Sequence, residues 1–192
     1  MKALEEKIIK EGKVLSKDVL KVGAFLNQQL DPSLMDEMGA EIRRLFSDCN
    51  ITKIFTIEAS GIALALAAAY HFNVPAVFAK KGKSSNVEGN LITAEVVSFT
   101  RGTTYEVSVS NEYINENDTV LIVDDFLASG NALIGLIDIA RKAGAKVAGA
   151  AIAIEKGFQN GGNIIRNSGV RVESLAIIEE MSENGIIFKK QG

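Results

Sequence analysis

The sequence predicts an α/β protein, an open, mostly parallel, twisted sheet flanked by helices. Three observations predict it. Apolar strand-like runs alternate with helical patterns, at 51–57, 62–70 and 76–79 and again at 120–123, 131–143 and 147–154. Such β-loop-α-β units build parallel sheets through right-handed crossovers. The run at 147–154 is Ala- and Val-rich with no polar alternation, the pattern of a strand buried on both faces. Between the two series, residues 93–99 and 105–110 flank an Arg101-Gly102 turn, and the second shows period-two alternation. That predicts an antiparallel hairpin inserted into the sheet.

The elements follow in order. Leu4, Ile8 and Ile9 predict a short N-terminal helix, whereas residues 14–30 show no single period. Asp31-Pro32 is a helix-start pair, and Leu34, Met35, Met38, Ile42, Leu45 and Phe46 carry the helical spacing onward. A strand at 51–57 leads through Glu58-Ala59-Ser60-Gly61 into an Ala-rich helix at 62–70. Asn73-Val74-Pro75 ends that helix before a second strand at 76–79. Residues 80–90, Lys-Lys-Gly-Lys-Ser-Ser-Asn-Val-Glu-Gly-Asn, are polar and basic, and their place after a strand suggests a mobile lid. A turn at 115–118 precedes the apolar run Val120-Leu121-Ile122-Val123. The helix at 131–143 ends at Gly144 with Arg141 and Lys142 in its last turn, as the helix dipole favours. After 147–154 come a Gly-rich connection, a short helical pattern at Ile164-Ile165 and a strand at 170–178.

Bulk properties exclude several classes. The 192 residues suffice for one core, and 21 basic against 24 acidic residues leave a net charge of −3. A general nucleic-acid or membrane-surface binder carries a basic excess, which is absent. Cys49 is the only cysteine, which rules out an intrachain disulfide, argues against a zinc cluster, and suits a small packed residue near a helix end. His71, the only histidine, closes an apolar helix pattern, so a helix-end role is expected rather than a Ser-His-Asp device. The N-terminus is charged and lacks the apolar core of a signal peptide, and the longest apolar stretch, 61–70, is too short to span a bilayer. A cytoplasmic protein is the expectation.

In open α/β sheets ligands sit at the carboxyl ends of strands. Three loops here follow strands: 58–61, 80–90 and 124–131. The last carries the strongest signal. The apolar run ends in Asp124-Asp125, then Phe126-Leu127, then Ala128-Ser129-Gly130-Asn131 at a helix start. Paired acids on a buried strand end are costly unless a ligand or cation compensates, and vicinal sugar hydroxyls or Mg²⁺ suit them. Small residues let backbone amides converge on a phosphate at the helix N-terminus. A receiver-type Mg²⁺ site would carry its acid pair after the first strand, not behind a hairpin. No Gly-Lys-Ser/Thr loop or G-x-G-x-x-G is present, so nucleoside triphosphates and dinucleotides are not indicated.

Residues 120–132 resemble the phosphoribosyl-pyrophosphate (PRPP) signature of type I phosphoribosyltransferases: an apolar run, two acids, two apolar residues, a small or acidic residue, then Ser/Thr-Gly. The likeness takes in the 58–61 turn, the lysine-rich segment with its hairpin, and Lys156-Gly157-Phe158, so it extends over essentially the whole chain. It is greatest to the bacterial branch that uses xanthine. The resemblance implies the family's fold in a single domain, with a small N-terminal hood at 1–35, a PRPP-binding core at 36–155 and a C-terminal segment at 156–192 that completes the base site. It implies transfer of a phosphoribosyl group from PRPP to xanthine in purine salvage, in a homodimer without nucleic-acid or membrane partners. Mg²⁺ would arrive carried by PRPP, with no direct protein ligand.

Residue by residue, the resemblance gives Asp124 and Asp125 the ribose hydroxyls and Ala128, Ser129, Gly130, Asn131 and Ala132 the 5′-phosphate. Glu58, Ala59, Ser60 and Gly61 would shape the pyrophosphate loop, with Lys81 and Lys83 as cationic partners. A lid over 82–110 would bring Arg101 and Tyr105 over the substrate. Lys156 would donate to an exocyclic oxygen of the purine, Leu20 and Asn27 of the hood would contact the base, and Phe126 or Phe158 would lie against its ring. Two positions depart from the family pattern. Ala132 stands where a threonine is common, and Ala128 where some hypoxanthine-guanine enzymes carry an aspartate. Two alternatives stay open at this point. One is a hypoxanthine/guanine enzyme. The other is a PRPP-sensing purine repressor-like regulator, for which roughly thirty residues before Asp31 are few for a winged helix and show no basic stripe.

Overall fold

The structure is a computed structural model that describes residues 1–82, 90–98, 103–182 and 184–190. The chain opens with helix α1 (Lys2–Glu11), which buries Leu4 and Ile8 on one face. Burying two such side chains contributes about 1.5–3 kcal/mol each, so packing rather than the half-buried Lys7–Glu11 pair holds this helix. The aperiodic stretch after it contains a small antiparallel ribbon, β1 (Lys13–Ser16) and β2 (Val19–Lys21), and a π-helical turn (Gly23–Asn27) that buries Phe25 and Leu26. The ribbon escapes a sequence reading because only Leu20 of its two strands is buried, so no alternation exists to be seen.

Helix α2 (Pro32–Leu45) begins as the sequence predicts, with the Asp31 carboxylate accepting from the amides of Ser33 and Leu34. Then follow β3 (Lys53–Ile57), α3 (Gly61–Phe72), β4 (Ala76–Lys81), and the hairpin β5 (Leu91–Ser98) and β6 (Thr103–Ser110). After it come β7 (Thr119–Leu127), α4 (Asn131–Lys142), β8 (Lys146–Lys156), α5 (Gly161–Asn167), β9 (Val172–Ser182) and β10 (Gly185–Phe188). The sequence does not announce β10, a short strand paired antiparallel with β9. Nor does β7 stop at the acids. It carries them inside the sheet, with Asp124 opposite Ile152 and Phe126 opposite Ile154 of β8.

The sheet has eight strands in the order β10-β9-β8-β7-β3-β4-β6-β5. Its central strands β9 to β4 are parallel, and antiparallel additions close both edges. From β3 the chain steps one way through α3 to β4; from β7 it steps the other way through α4 to β8. Right-handed crossovers therefore put α3 and α4 on opposite faces. Leu64, Ala65, Ala68 and Ala69 of α3 accordingly pack with α1, α2 and the hood, while Leu133, Leu136, Ile139 and Ala140 of α4 pack with the hairpin on the other face. The reversal falls between β3 and β7, and ligands in such sheets bind outside the strand ends at that crevice. His71 fills the helix-end role, with Nε2 2.8 Å from Asp36 of α2. Cys49 is partly buried against the core after α2. No helix among the described residues is long and apolar enough to cross a membrane.

Candidate functional site at the sheet crevice

The 58–61 turn meets the acid pair through Ser60 and Gly61. Asp124 and Asp125 are 7 % and 6 % exposed, so neither charge is well screened by water. Asp125 is held from two sides: Ser60 Oγ donates to Oδ1 at 2.9 Å, and Asn27 Nδ2 donates to Oδ2 at 3.1 Å. Asp124 accepts only the backbone N–H of Asp125, at 3.0 Å, among the described residues. Burial first, and the adjacent Asp125 second, push the Asp124 carboxyl well above its usual range, and the nearby Lys81 ammonium opposes this only partly.

The 58–61 turn is shaped by its surroundings. Glu58 accepts the Lys81 amide on Oε1 at 2.6 Å, so its carboxylate ties the loop after β3 to the end of β4 rather than pointing free into the crevice. The Glu58–Ala59 peptide bond is cis. Gly61 begins α3 where a Cβ would stand 2.2 Å from Thr56 Oγ1 and 3.0 Å from Asp124 Oδ1, so no side chain fits. Thr56 Oγ1 is buried and has no hydrogen-bond partner among the described residues. The Lys81 ammonium lies 5.7 Å from the centre of the Tyr105 ring, and burial and Asp124 raise the Tyr105 phenol.

The loop after β7 turns on Gly130, whose φ of +85° favours glycine, and α4 starts with no side-chain cap. Its first amides thus have no intrahelical partner. Behind the loop, the Gly161 N–H donates to the Ala128 carbonyl at 3.1 Å. A Cβ on Gly161 would lie 2.1 Å from that oxygen and 2.7 Å from the Gly130 nitrogen, so the two backbones touch through glycine. Asn131 turns its amide outward to the Val97 carbonyl of β5, at 2.9 Å.

The segment before α2 reaches the carboxyl end of β8. Lys156, the last residue of β8, donates to the Asp18 carbonyl in the β1–β2 turn at 2.7 Å, and its Nζ lies 5.7 Å from the centre of the Phe126 ring. Burial lowers the Lys156 ammonium despite the opposing Asp18 carboxylate. Leu20, on β2 of the same N-terminal segment, is buried in the core cluster. Of the two candidate rings, Phe126 adjoins Lys156, whereas Phe158 sits 38 % exposed in the turn beyond β8.

The structure thus gathers Asp124, Asp125, Ser60, Gly61, Lys81 and Tyr105 at the crevice, joins Asn27 of the hood to Asp125, and places Lys156 beside Phe126. The hairpin strands of the expected lid are bonded to β4 and packed on α4; Lys83 and Arg101 lie outside the described residues. Among the described residues no cluster of three or more His, Cys, Asp or Glu is arranged around a common metal position. Sequence reasoning missed Thr56, the Asp18 carbonyl and Gly161. Only the last left a signal, the Gly161-Gly162 pair, which reads as no more than a Gly-rich connection without knowing what it faces.

Residues 31–161 match the family described as the phosphoribosyl transferase domain. The xanthine phosphoribosyltransferase of Clostridium novyi (strain NT) is 55% identical over 189 residues, covering 98% of this chain and 100% of that one. That of Bacillus cereus (strain AH187) is 53% identical over 191 residues, covering 100% of this chain and 97% of the other. Among solved structures, adenine phosphoribosyl transferase from Trypanosoma brucei in complex with AMP, pyrophosphate and ribose-5-phosphate superposes with a TM-score of 0.79 at 21% identity, covering 95% of this chain and 82% of that chain. The adenine phosphoribosyltransferase of Rhodothermus marinus DSM 4252 gives 0.73 at 21%, covering 92% and 99%. At such identity the likeness is one of fold.

Proposed function

The chain belongs to the phosphoribosyl transferase domain family, and from that premise we propose that it is a xanthine phosphoribosyltransferase of purine salvage, converting PRPP and xanthine to xanthosine 5′-monophosphate and pyrophosphate. The observation that carries the substrate is identity above half, over nearly the whole chain, to proteins named for that activity. The crevice chemistry supports it.

The α4 amides of the 128–132 loop take the 5′-phosphate. Asp125 and Asp124 accept the ribose hydroxyls, which relieves the buried pair. The Ser60-Gly61 amides and Lys81 face the pyrophosphate, where negative charge grows as the bond to C1′ breaks; fixed donors there stabilise the transition state. Glu58 contributes by fixing the backbone that carries Lys81. The hard carboxylate oxygens of Asp124 and Asp125 would suit the Mg²⁺ that arrives on PRPP. That ion would supply charge neutralisation of the leaving group. Lys156 donates to the 6-oxygen of the purine. Its present partner, the Asp18 carbonyl, is the same kind of neutral acceptor. Asn27 addresses the base from the hood, and Phe126 lies against the ring.

The working form is a cytoplasmic homodimer. Leu66 and Tyr70, one turn apart on α3, are 65 % and 79 % exposed, apolar surface that a second copy would cover.

Incubation with Mg²⁺, PRPP and xanthine, guanine, hypoxanthine or adenine in turn tests the reading. Xanthosine monophosphate should form with the highest kcat/KM. No monophosphate from any base would overturn it.

A further inference from the structure

The loop after β7 is backed by α5, and α5 has little of its own to hold it. The helix spans seven residues, too few for stability alone, and Ile165 is its only buried side chain, while Ile164 is 44 % exposed. On the reading of residues 128–132 as the 5′-phosphate site, we propose that the Glu155–Arg166 ion pair seats α5. Glu155 is thereby a positioning residue for the 5′-phosphate, acting through Gly161 on the loop without touching a ligand.

Glu155 is fixed to the sheet. It lies on β8 with Leu127 of β7 as its register partner on one side and Ile177 of β9 on the other. Its side chain is buried, and Ser174 Oγ of β9 donates to Oε2 at 2.5 Å. Arg166 reaches in from α5 with both ends of its guanidinium, Nη1 to Oε1 at 2.8 Å and Nη2 to Oε2 at 2.7 Å. A bidentate pair fixes direction as well as distance, so it sets how α5 lies on the sheet. One turn earlier the helix backbone runs over the same carboxylate, where a Cβ on Gly162 would collide with Glu155 Oε1. The head of α5 therefore sits on Glu155, and its last turn is tied to Glu155. From that head the Gly161 N–H donates to the Ala128 carbonyl at 3.1 Å. The path from carboxylate to phosphate loop is one short helix.

Successive residues of a strand face opposite sides of the sheet. Glu155 points to the face that carries α5, and Lys156 to the face that carries the β1–β2 turn, where it meets the Asp18 carbonyl. A change at Glu155 should therefore be felt at the sugar phosphate and not at the base. Nor should it reach the 58–61 turn, which is held from elsewhere, by Ser60 on Asp125 and by Glu58 on the Lys81 amide.

Two substitutions at Arg166 test this, at a temperature where circular dichroism shows each variant folded. Arg166→Met keeps the stem and removes both bonds, and Arg166→Lys, the milder change, keeps the charge but loses the fork. PRPP and xanthosine monophosphate share only the ribose 5-phosphate, so parallel losses for both locate the defect there. In Arg166→Met the KM for PRPP and the calorimetric Kd for xanthosine monophosphate should each rise about tenfold, the scale of one charge-assisted hydrogen bond. In Arg166→Lys each should rise about threefold. The KM for xanthine at saturating PRPP should stay within about twofold in both variants. Arg166→Met should add no further loss on the Glu155→Gln background. A KM for PRPP kept within about twofold in both variants would make the pair a matter of stability alone and overturn the proposal. A rise for PRPP without one for xanthosine monophosphate, or an equal rise for xanthine, overturns it as well. Wild-type protein that binds neither PRPP nor xanthosine monophosphate would instead overturn the function on which it rests.

Discussion

The backbone N–H of Asp125 donates to the carboxyl of Asp124 at 3.0 Å, so the first acid is turned back onto the second, while Ser60 and Asn27 serve the second. The two acids thus differ in partners although they adjoin on one strand. Asp124 holds its proton to higher pH in the folded chain than in the unfolded one. Stability from this group is fully present below the unfolded carboxyl's range and is lost as pH rises through the folded value. At neutral pH the unliganded protein therefore carries a destabilising group, about 1.4 kcal/mol for each tenfold change in acidity. Asp124→Asn should raise Tm near neutrality, with the gain vanishing toward about pH 4, and should cripple turnover with PRPP. Calorimetry across that range checks it; a Tm difference independent of pH would count against the assignment.

Glu155 shows the opposite sign. Burial pushes its carboxyl up, but the bidentate Arg166 at 2.8 and 2.7 Å and Ser174 at 2.5 Å pull it below the usual range. Its contribution is present above the unfolded glutamate value and is lost as pH falls through the folded one. Removing one member of a buried pair costs about 3–5 kcal/mol. Arg166 is 35 % exposed and can turn to water, so Glu155→Gln should cost less, about 2 kcal/mol. Denaturant unfolding at neutral and acidic pH reads this, and the difference between variant and wild type should shrink in acid.

Gly161 decides the phosphate loop without touching any proposed ligand. A methyl there must displace the Ala128 carbonyl or the Gly130 amide, both backbone. Gly161→Ala should raise the KM for PRPP at least about tenfold and destabilise by about 1–3 kcal/mol. Steady-state kinetics with varied PRPP measure the first effect, and an unchanged KM would mean that the loop tolerates the shift.

Much of this was legible in the sequence because it rests on local pattern. The parallel core follows from apolar runs and helical periods, and the Asp31 cap, the acid pair and the loop before α4 are each written within a few consecutive residues. The reading weakens where structure depends on contacts between distant segments. The β1–β2 ribbon has too few buried residues to show alternation. The Asp18 carbonyl that meets Lys156 belongs to the backbone and has no side-chain signature. Glu58 and Asn131 show the same limit from the other side. Both are polar residues in ligand loops, but the structure engages Glu58 with the Lys81 amide and Asn131 with the Val97 carbonyl.

That Asn131 contact makes its own prediction. Strand β5 is the sheet edge, and two side chains of α4 hold its carbonyls: Asn131 on Val97 at 2.9 Å and Lys142 on Thr93 at 2.8 Å. Asn131→Ala removes the tie nearer the phosphate loop but leaves the α4 amides in place. Amide exchange in β5 and β6 should quicken by about fivefold, as the loss of one hydrogen bond allows, with little change in α4. Equal protection in both proteins would show that apolar packing alone seats the hairpin.

Lys156 offers the sharpest separation of base from sugar. Its stem lies beside Phe126 and its ammonium reaches the hood, so truncation to alanine would remove packing and charge together. Lys156→Met keeps the stem and deletes only the donor. A hydrogen bond from a charged group contributes about 1.5–3 kcal/mol, so kcat/KM for xanthine should fall roughly ten- to hundredfold, while the KM for PRPP stays within about twofold. Because burial lowers the Lys156 ammonium, the wild-type profile of kcat/KM against pH should turn down on the alkaline side below the ordinary lysine range. In Lys156→Met that limb should be gone, leaving only the ionisation of the base itself. Equal losses toward xanthine and PRPP would move Lys156 out of the base site and make its bond to the Asp18 carbonyl a purely structural tie.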